Sequence, residues 1–177
     1  MLPLGTTAPQ FELEDVISGL PVSLSDNSSS RATVIMFICN HCPYVKHINT
    51  ELTRLANDYQ SKSVRFIAIN SNDVENYPDD SPENMRLTAT QHNYPFPYLY
   101  DESQETAKAY KAACTPDFFV FNHELALVYR GQLDDSRPSN GIVVDGHSLR
   151  NALDCILSNS PITFEQKPSL GCNIKWK

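Results

Sequence analysis

A basic cluster is what this 177-residue sequence most plainly lacks. Its 14 Lys and Arg residues are scattered among 21 Asp and Glu, for a formal net charge of −7. Phosphate backbones are held by basic stripes, so nucleic acid is excluded as the main partner. Long apolar runs are missing too. The longest, Val34–Cys39, is far too short to span a bilayer. Residues 1–7 lack the charged start and apolar stretch of a secretory signal, so a cytoplasmic protein with no membrane association is expected. Glycine is scarce, with six residues, and no internal repeat is visible. An even cysteine framework is likewise absent. The five cysteines, Cys39, Cys42, Cys114, Cys155 and Cys172, are odd in number and irregular in spacing, unlike a secreted disulfide scaffold.

What is present is enough hydrophobic residue, 41%, to build one real core over residues 1–177. The polar stretch Ser25–Ser30 separates an N-terminal extension, residues 1–30, from the rest. Strand and helix patterns then alternate. Thr33–Ile38 is a continuous β-branched run, as in a strand buried on both faces. Val45, Ile48, Leu52, Leu55 and Tyr59 recur at steps of three and four, as on one helix face. Val64–Ile69 reads as a second buried strand, completing a βαβ unit with parallel strands. Ser81-Pro82-Glu83 opens a further helix running to about Gln91. A strand is expected over Phe96–Tyr100, and a helix over Ser103–Lys111. A hairpin follows from Phe118–Phe121 and Leu125–Tyr129, and an amphipathic helix carries Leu149 to Leu157. Gly131–Gly146 has no clear period and reads as a loop. The sum is an α/β fold with a central mixed sheet flanked by helices, an N-terminal extension and an insertion.

Cys39-Asn40-His41-Cys42 falls at the junction of the buried strand and the amphipathic helix. Free N–H groups and the positive end of the helix dipole favour an anion there, and the thiolate is the nucleophile. Two cysteines three apart can close a small disulfide ring, and Pro43 suits the first helical turn. His41, between the sulfurs, is placed to tune the pair by stabilising a thiolate. No second Cys/His pair stands at zinc-ligand spacing, so no metal and no other cofactor is expected. Asp73, Glu75, Asp79, Asp80 and Glu83 crowd one stretch, which reads as a solvated loop rather than an ion site. Arg130, Asp134, Asp135 and Arg137 read as a polar loop without a catalytic assignment.

With the pair placed, the chain resembles the redoxin branch of the thioredoxin superfamily, the alkyl-hydroperoxide-reductase and thiol-specific-antioxidant type. Within that branch it is similar to a peroxiredoxin-like group labelled thiol–disulfide isomerase or thioredoxin. The resemblance rests on Gly5 with Ala8–Leu13, Cys39–Lys46, Ala68–Met85, Cys114–Phe119, Tyr129–Pro138 and Gly171–Lys177. It implies a thioredoxin-like fold in which Pro116 is a cis-proline beside the cysteine pair. The Thr115 backbone would then face an extended substrate. The peroxide-attacking cysteine of peroxiredoxins aligns with Cys42, but their Thr/Ser and Pro positions are Cys39 and Ile35 here. The buried acid of thioredoxins is Thr33.

These readings converge on a thiol–disulfide oxidoreductase. Cys39 is expected to be the more exposed and acidic thiol and to attack, with Cys42 resolving. Its partners would be protein or small-molecule disulfides and a thiol electron donor. Cys114 and Cys172 are candidate additional redox thiols, while Cys155 reads as a packed hydrophobe. The alternatives are a thiol-dependent peroxidase and a non-enzymatic redox sensor or metal carrier.

Overall fold

The computed structural model describes residues 2–26 and 29–177. Asn27 and Ser28, in the middle of the expected polar break, lie outside the described residues. The N-terminal extension contributes β1 (Glu12–Asp15) and β2 (Pro21–Ser23). Next come β3 (Ala32–Phe37), α1 (Pro43–Gln60), β4 (Val64–Asn70), α2 (Pro82–His92) and β5 (Tyr98–Tyr100). The chain continues with α3 (Glu105–Tyr110), β6 (Cys114–Thr115), β7 (Asp117–Asn122) and β8 (Leu127–Gly131). It finishes with α4 (His147–Leu157) and β9 (Cys172–Asn173).

Seven strands form one mixed sheet in the order β2-β1-β5-β4-β3-β7-β8. Strands β3, β4 and β5 are parallel, and β7 runs antiparallel to β3, with Ile35 opposite Phe119. The expected βαβ unit is therefore the centre of the sheet. Every residue of β3 is buried, because helices or loops cover both of its faces. Val34 and Met36 pack in one cluster with Leu52 and Leu55 of α1 and Leu149 and Ala152 of α4. Ile35 and Phe37 face the opposite cluster, with Ala107 and Tyr110 of α3 and Phe119 and Phe121 of β7. Each such side chain contributes about 1.5–3 kcal/mol of transfer free energy.

The extension is part of this sheet rather than an appendage. Strand β1 pairs with β5 and β2 closes that edge, where Pro21 is tolerated because edge N–H groups need no partner. At the other edge, residues 166–169 run along β8. Gln166 accepts from the Arg130 N–H and donates to the Val128 carbonyl, and Ser169 Oγ donates to the Gly131 carbonyl at 2.6 Å. Gly131 sits at φ 143°, and a Cβ there would lie 2.1 Å from the Lys167 carbonyl oxygen, so only glycine lets this segment approach. The segment then crosses to the cysteine pair, where β9 pairs with β6 in a separate two-stranded ladder. Among the described residues, no helix is long and apolar enough to cross a membrane.

Candidate active site

The turn between β3 and α1 carries Cys39 and Cys42, and the helix begins at Pro43, whose missing N–H costs nothing at that position. Cys42 is consequently the N-cap, with extended backbone, and its carbonyl accepts from the Val45 and Lys46 N–H groups. Cys39 lies before the cap. The positive end of the helix thus falls on Cys42 rather than Cys39.

Both sulfurs converge on Thr115. Cys39 Sγ lies 3.3 Å from Thr115 Oγ1, and the Cys42 thiol reaches the Thr115 carbonyl at 3.1 Å. The Thr115–Pro116 peptide bond is cis. A third sulfur, Cys172 Sγ, stands 2.9 Å from Cys42 Sγ, although all five cysteines are free. Cys39 and Cys42 are each about 99% buried or more, while Cys172 is half-buried.

Neither thiol is exposed, so the expected difference in exposure does not arise, and the acidity order runs opposite to the expectation that Cys39 is the more acidic. Hydrogen bonding from Cys39, chiefly, lowers the Cys42 pKa to about 4, with further donors in the Cys172 thiol and the Val45 and Cys172 N–H groups. Donating to Cys42, burial and the Asp80 carboxylate together push the Cys39 thiol well above its ordinary value. Burial and the same contact to Cys42 raise Cys172 to about 11.

His41 does not hydrogen-bond to either sulfur. Its Nδ1 lies 2.5 Å from Asp80 Oδ2, and its ring stacks on Tyr77 with centroids 5.6 Å apart. Asp80 is wholly buried and Asp73 nearly so, which corrects the solvated-loop reading for these two, while Glu75, Asp79 and Glu83 are exposed as expected. Its Oδ1 accepts from the Asn40 N–H at 2.7 Å and the His41 N–H at 3.2 Å, and Oδ2 also accepts from Asn72 Nδ2 at 2.7 Å. These donors satisfy a buried charge, so the carboxylate is a bolt for the cysteine turn. The ligand atoms of Cys39, His41 and Asp80 lie within 4.8 Å of one another, the one cluster among the described residues with metal-binding proximity. With Asp80 already receiving four donors, the trio fits a hydrogen-bonded anchor better than a cation site.

Cys114 is buried, its thiol directed at the Pro116 carbonyl, 3.6 Å away, and burial raises it to about 12. Cys155 is half-buried on α4. Arg137 donates to the Asp134 and Ser136 carbonyls and to Gln132 Oε1, tying down its own loop. Asp117, next to Pro116, was not singled out in the sequence. Burial raises its carboxyl to about 6, against Ser169 and two backbone N–H groups that lower it.

The chain matches the AhpC/TSA family over residues 4–130. None of the curated proteins matches it. Among solved structures, it is 64% identical to an uncharacterized conserved protein from Geobacillus kaustophilus, with TM-score 0.98 over 100% of this chain and 94% of that one. A hypothetical protein from Sinorhizobium meliloti 1021 is 44% identical, with TM-score 0.97 over 100% of this chain and 96% of that one. The thioredoxin domain of a thiol-disulfide oxidoreductase from Bacteroides vulgatus is 16% identical, with TM-score 0.69 over 89% of this chain and 99% of that one. This last likeness concerns the fold alone, which is thioredoxin-like.

Proposed function

Because the chain belongs to the AhpC/TSA family, a family of thiol redox proteins, we propose that it is a thiol–disulfide oxidoreductase working through Cys39 and Cys42. One observation carries this reading: the Cys42 sulfur lies 3.1 Å from the Thr115 carbonyl oxygen and 2.9 Å from the sulfur of a strand paired at Thr115. That is the environment a cysteine-containing peptide would supply.

The donors around Cys42 favour it as the attacking thiolate, reversing the roles expected from the sequence. Cys42 Sγ attacks one sulfur of a substrate disulfide, forming a mixed disulfide and releasing the other half as a thiolate that takes a proton from water. Cys39 then loses its proton and attacks Cys42 Sγ. The Cys39–Cys42 disulfide forms, and the second substrate thiol leaves. Two electrons pass from the dithiol to the substrate, and a thiol donor restores the pair. Thr115 and Pro116 line the approach, with the Thr115 backbone as the pairing edge. We place this chemistry in the cytoplasm, where thiols are kept reduced.

The test sets disulfide reduction beside peroxide reduction with the same thiol donor. The expected result is turnover of a disulfide-linked peptide, abolished by Cys42→Ser and arrested at the mixed disulfide by Cys39→Ser. Peroxide consumption without disulfide turnover would replace this reading with a thiol peroxidase.

A further inference from the structure

We infer that Cys172 is a third redox thiol, and that residues 171–173 occupy the substrate strand's place, so that the disulfide can move from Cys39–Cys42 to Cys42–Cys172. This rests on the dithiol reading above. Its own support is the way the segment after Pro168 is built. Strand β9 lies antiparallel to β6, with Cys172 opposite Thr115 and Asn173 opposite Cys114. The chain arrives through Gly171, where a Cβ would stand 2.0 Å from the Thr115 carbonyl oxygen and 3.1 Å from the Pro116 nitrogen. Any side chain there would lift the strand from the cysteine pair.

Beyond Cys172 the segment is anchored firmly. Ile174 is buried in the cluster around Tyr110. The Lys175 N–H donates to Asn72 Oδ1 at 2.9 Å, and its carbonyl accepts from the Asp73 N–H and from Gln104 Nε2, each at 2.8 Å. The Lys177 N–H donates to Gln104 Oε1. With both flanks held, the Cys172 sulfur is delivered to Cys42 at 2.9 Å. The same docking covers the dithiol and explains why neither of its sulfurs reaches solvent.

The chemistry balances without an external oxidant. In the Cys39–Cys42 disulfide form, the Cys172 thiolate attacks Cys42 Sγ. The Cys42–Cys172 bond forms, the Cys39–Cys42 bond breaks, and Cys39 leaves as a thiolate and takes up the proton that Cys172 lost. One disulfide replaces another, freeing Cys39. The same attack by Cys172 on a Cys42 mixed disulfide expels substrate thiol. A peptide entering at Thr115 must first displace β9.

The experiment uses full-length Cys39→Ser protein, reduced, treated with oxidised glutathione and mapped by mass spectrometry without reduction. The expected product is the Cys42–Cys172 cross-link, formed when Cys172 expels glutathione from Cys42. Adding Gly171→Ala should lower its yield several-fold, with the circular dichroism spectrum unchanged. Stable glutathionylated Cys42 beside an alkylatable Cys172 would overturn the inference, as would a yield indifferent to Gly171→Ala. Failure of Cys42 to react at all would overturn it too. Disulfide turnover by the parent protein then separates the two readings. Turnover without the cross-link removes only the role of Cys172, whereas the cross-link without turnover removes only the oxidoreductase reading.

Discussion

Asp80 holds His41 twice, accepting from its backbone N–H at 3.2 Å and meeting its ring Nδ1 at 2.5 Å. A carboxylate is an acceptor, so the ring contact is a hydrogen bond in the tautomer that places the N–H at Nδ1. Asn40 and Asn72 complete the set, and the carboxylate therefore joins the cysteine turn to the stretch before α2. It also places a negative charge close enough to raise the Cys39 pKa. One residue thus holds the turn and adds to the burial and the Cys42 contact that keep Cys39 the less acidic thiol.

Removing it should be costly. Asp80→Ala leaves several buried donors without an acceptor, and a loss on the order of 3–5 kcal/mol is expected. Asp80→Asn keeps one acceptor oxygen and should lose less. Urea unfolding followed by linear extrapolation measures both. An Asp80→Ala protein as stable as the parent would remove Asp80 as the anchor.

His41 sits between that charge and the solvent, so its effect on the sulfurs runs through Asp80. His41→Ala should leave the carboxylate less compensated and hold Cys39 more firmly in its thiol form. Because Cys39 must ionise to resolve the mixed disulfide, resolution should slow, about tenfold for each pKa unit gained. Rapid quenching and gel separation of the mixed disulfide would time this step. An unchanged lifetime in a folded variant means His41 is structural only.

The centre of the molecule was legible because its signals are local. Buried parallel strands read as near-continuous apolar runs, as in β3 and in Phe66–Ile69 of β4. The extension's strands, Glu12–Asp15 and Pro21–Ser23, are only four and three residues long and carry no such run. Strand β9 is two residues long and has no period to read; only Cys172 and the matched run Gly171–Lys177 marked it. Asp80 looked like one more acid in a polar stretch, because its partners in the cysteine turn lie about 40 residues away. The identity of the N-cap was readable, however. A proline at the first helical position makes the preceding residue the cap, so Pro43 already pointed to Cys42.

That cap position gives a direct prediction for thiol reactivity. In reduced protein Cys42 should be alkylated before Cys39, and slowly, because β9 covers both. A Gly171→Ala variant should react faster at both sulfurs. With the Cys42 pKa lowered to about 4, its thiolate is fully formed at neutral pH and is lost only as pH falls through that value. The labelling rate should therefore be nearly flat from pH 8 to pH 5. A rate climbing tenfold per pH unit between 6 and 8, as an ordinary thiol shows, would contradict this.

Asp117 offers a test through stability. Its ordinary pKa of 3.8 is raised to about 6 by burial in the folded protein. Below pH 4 the carboxyl is protonated in both states and contributes nothing. Between pH 4 and 6 the unfolded chain releases its proton first, so the native state binds more protons and stability falls as pH rises. Above pH 6 the full cost of a buried carboxylate is present, on the order of 3 kcal/mol. Asp117→Asn cannot ionise and escapes this cost, although its amide changes the hydrogen bond from the Ala113 N–H by a pH-independent amount. The stability of Asp117→Asn relative to the parent should therefore increase between pH 4 and pH 7 and level off above. Chemical denaturation at half-unit pH steps would trace the curve. A difference constant across that range would show that Asp117 ionises as readily in the folded protein as in the unfolded chain.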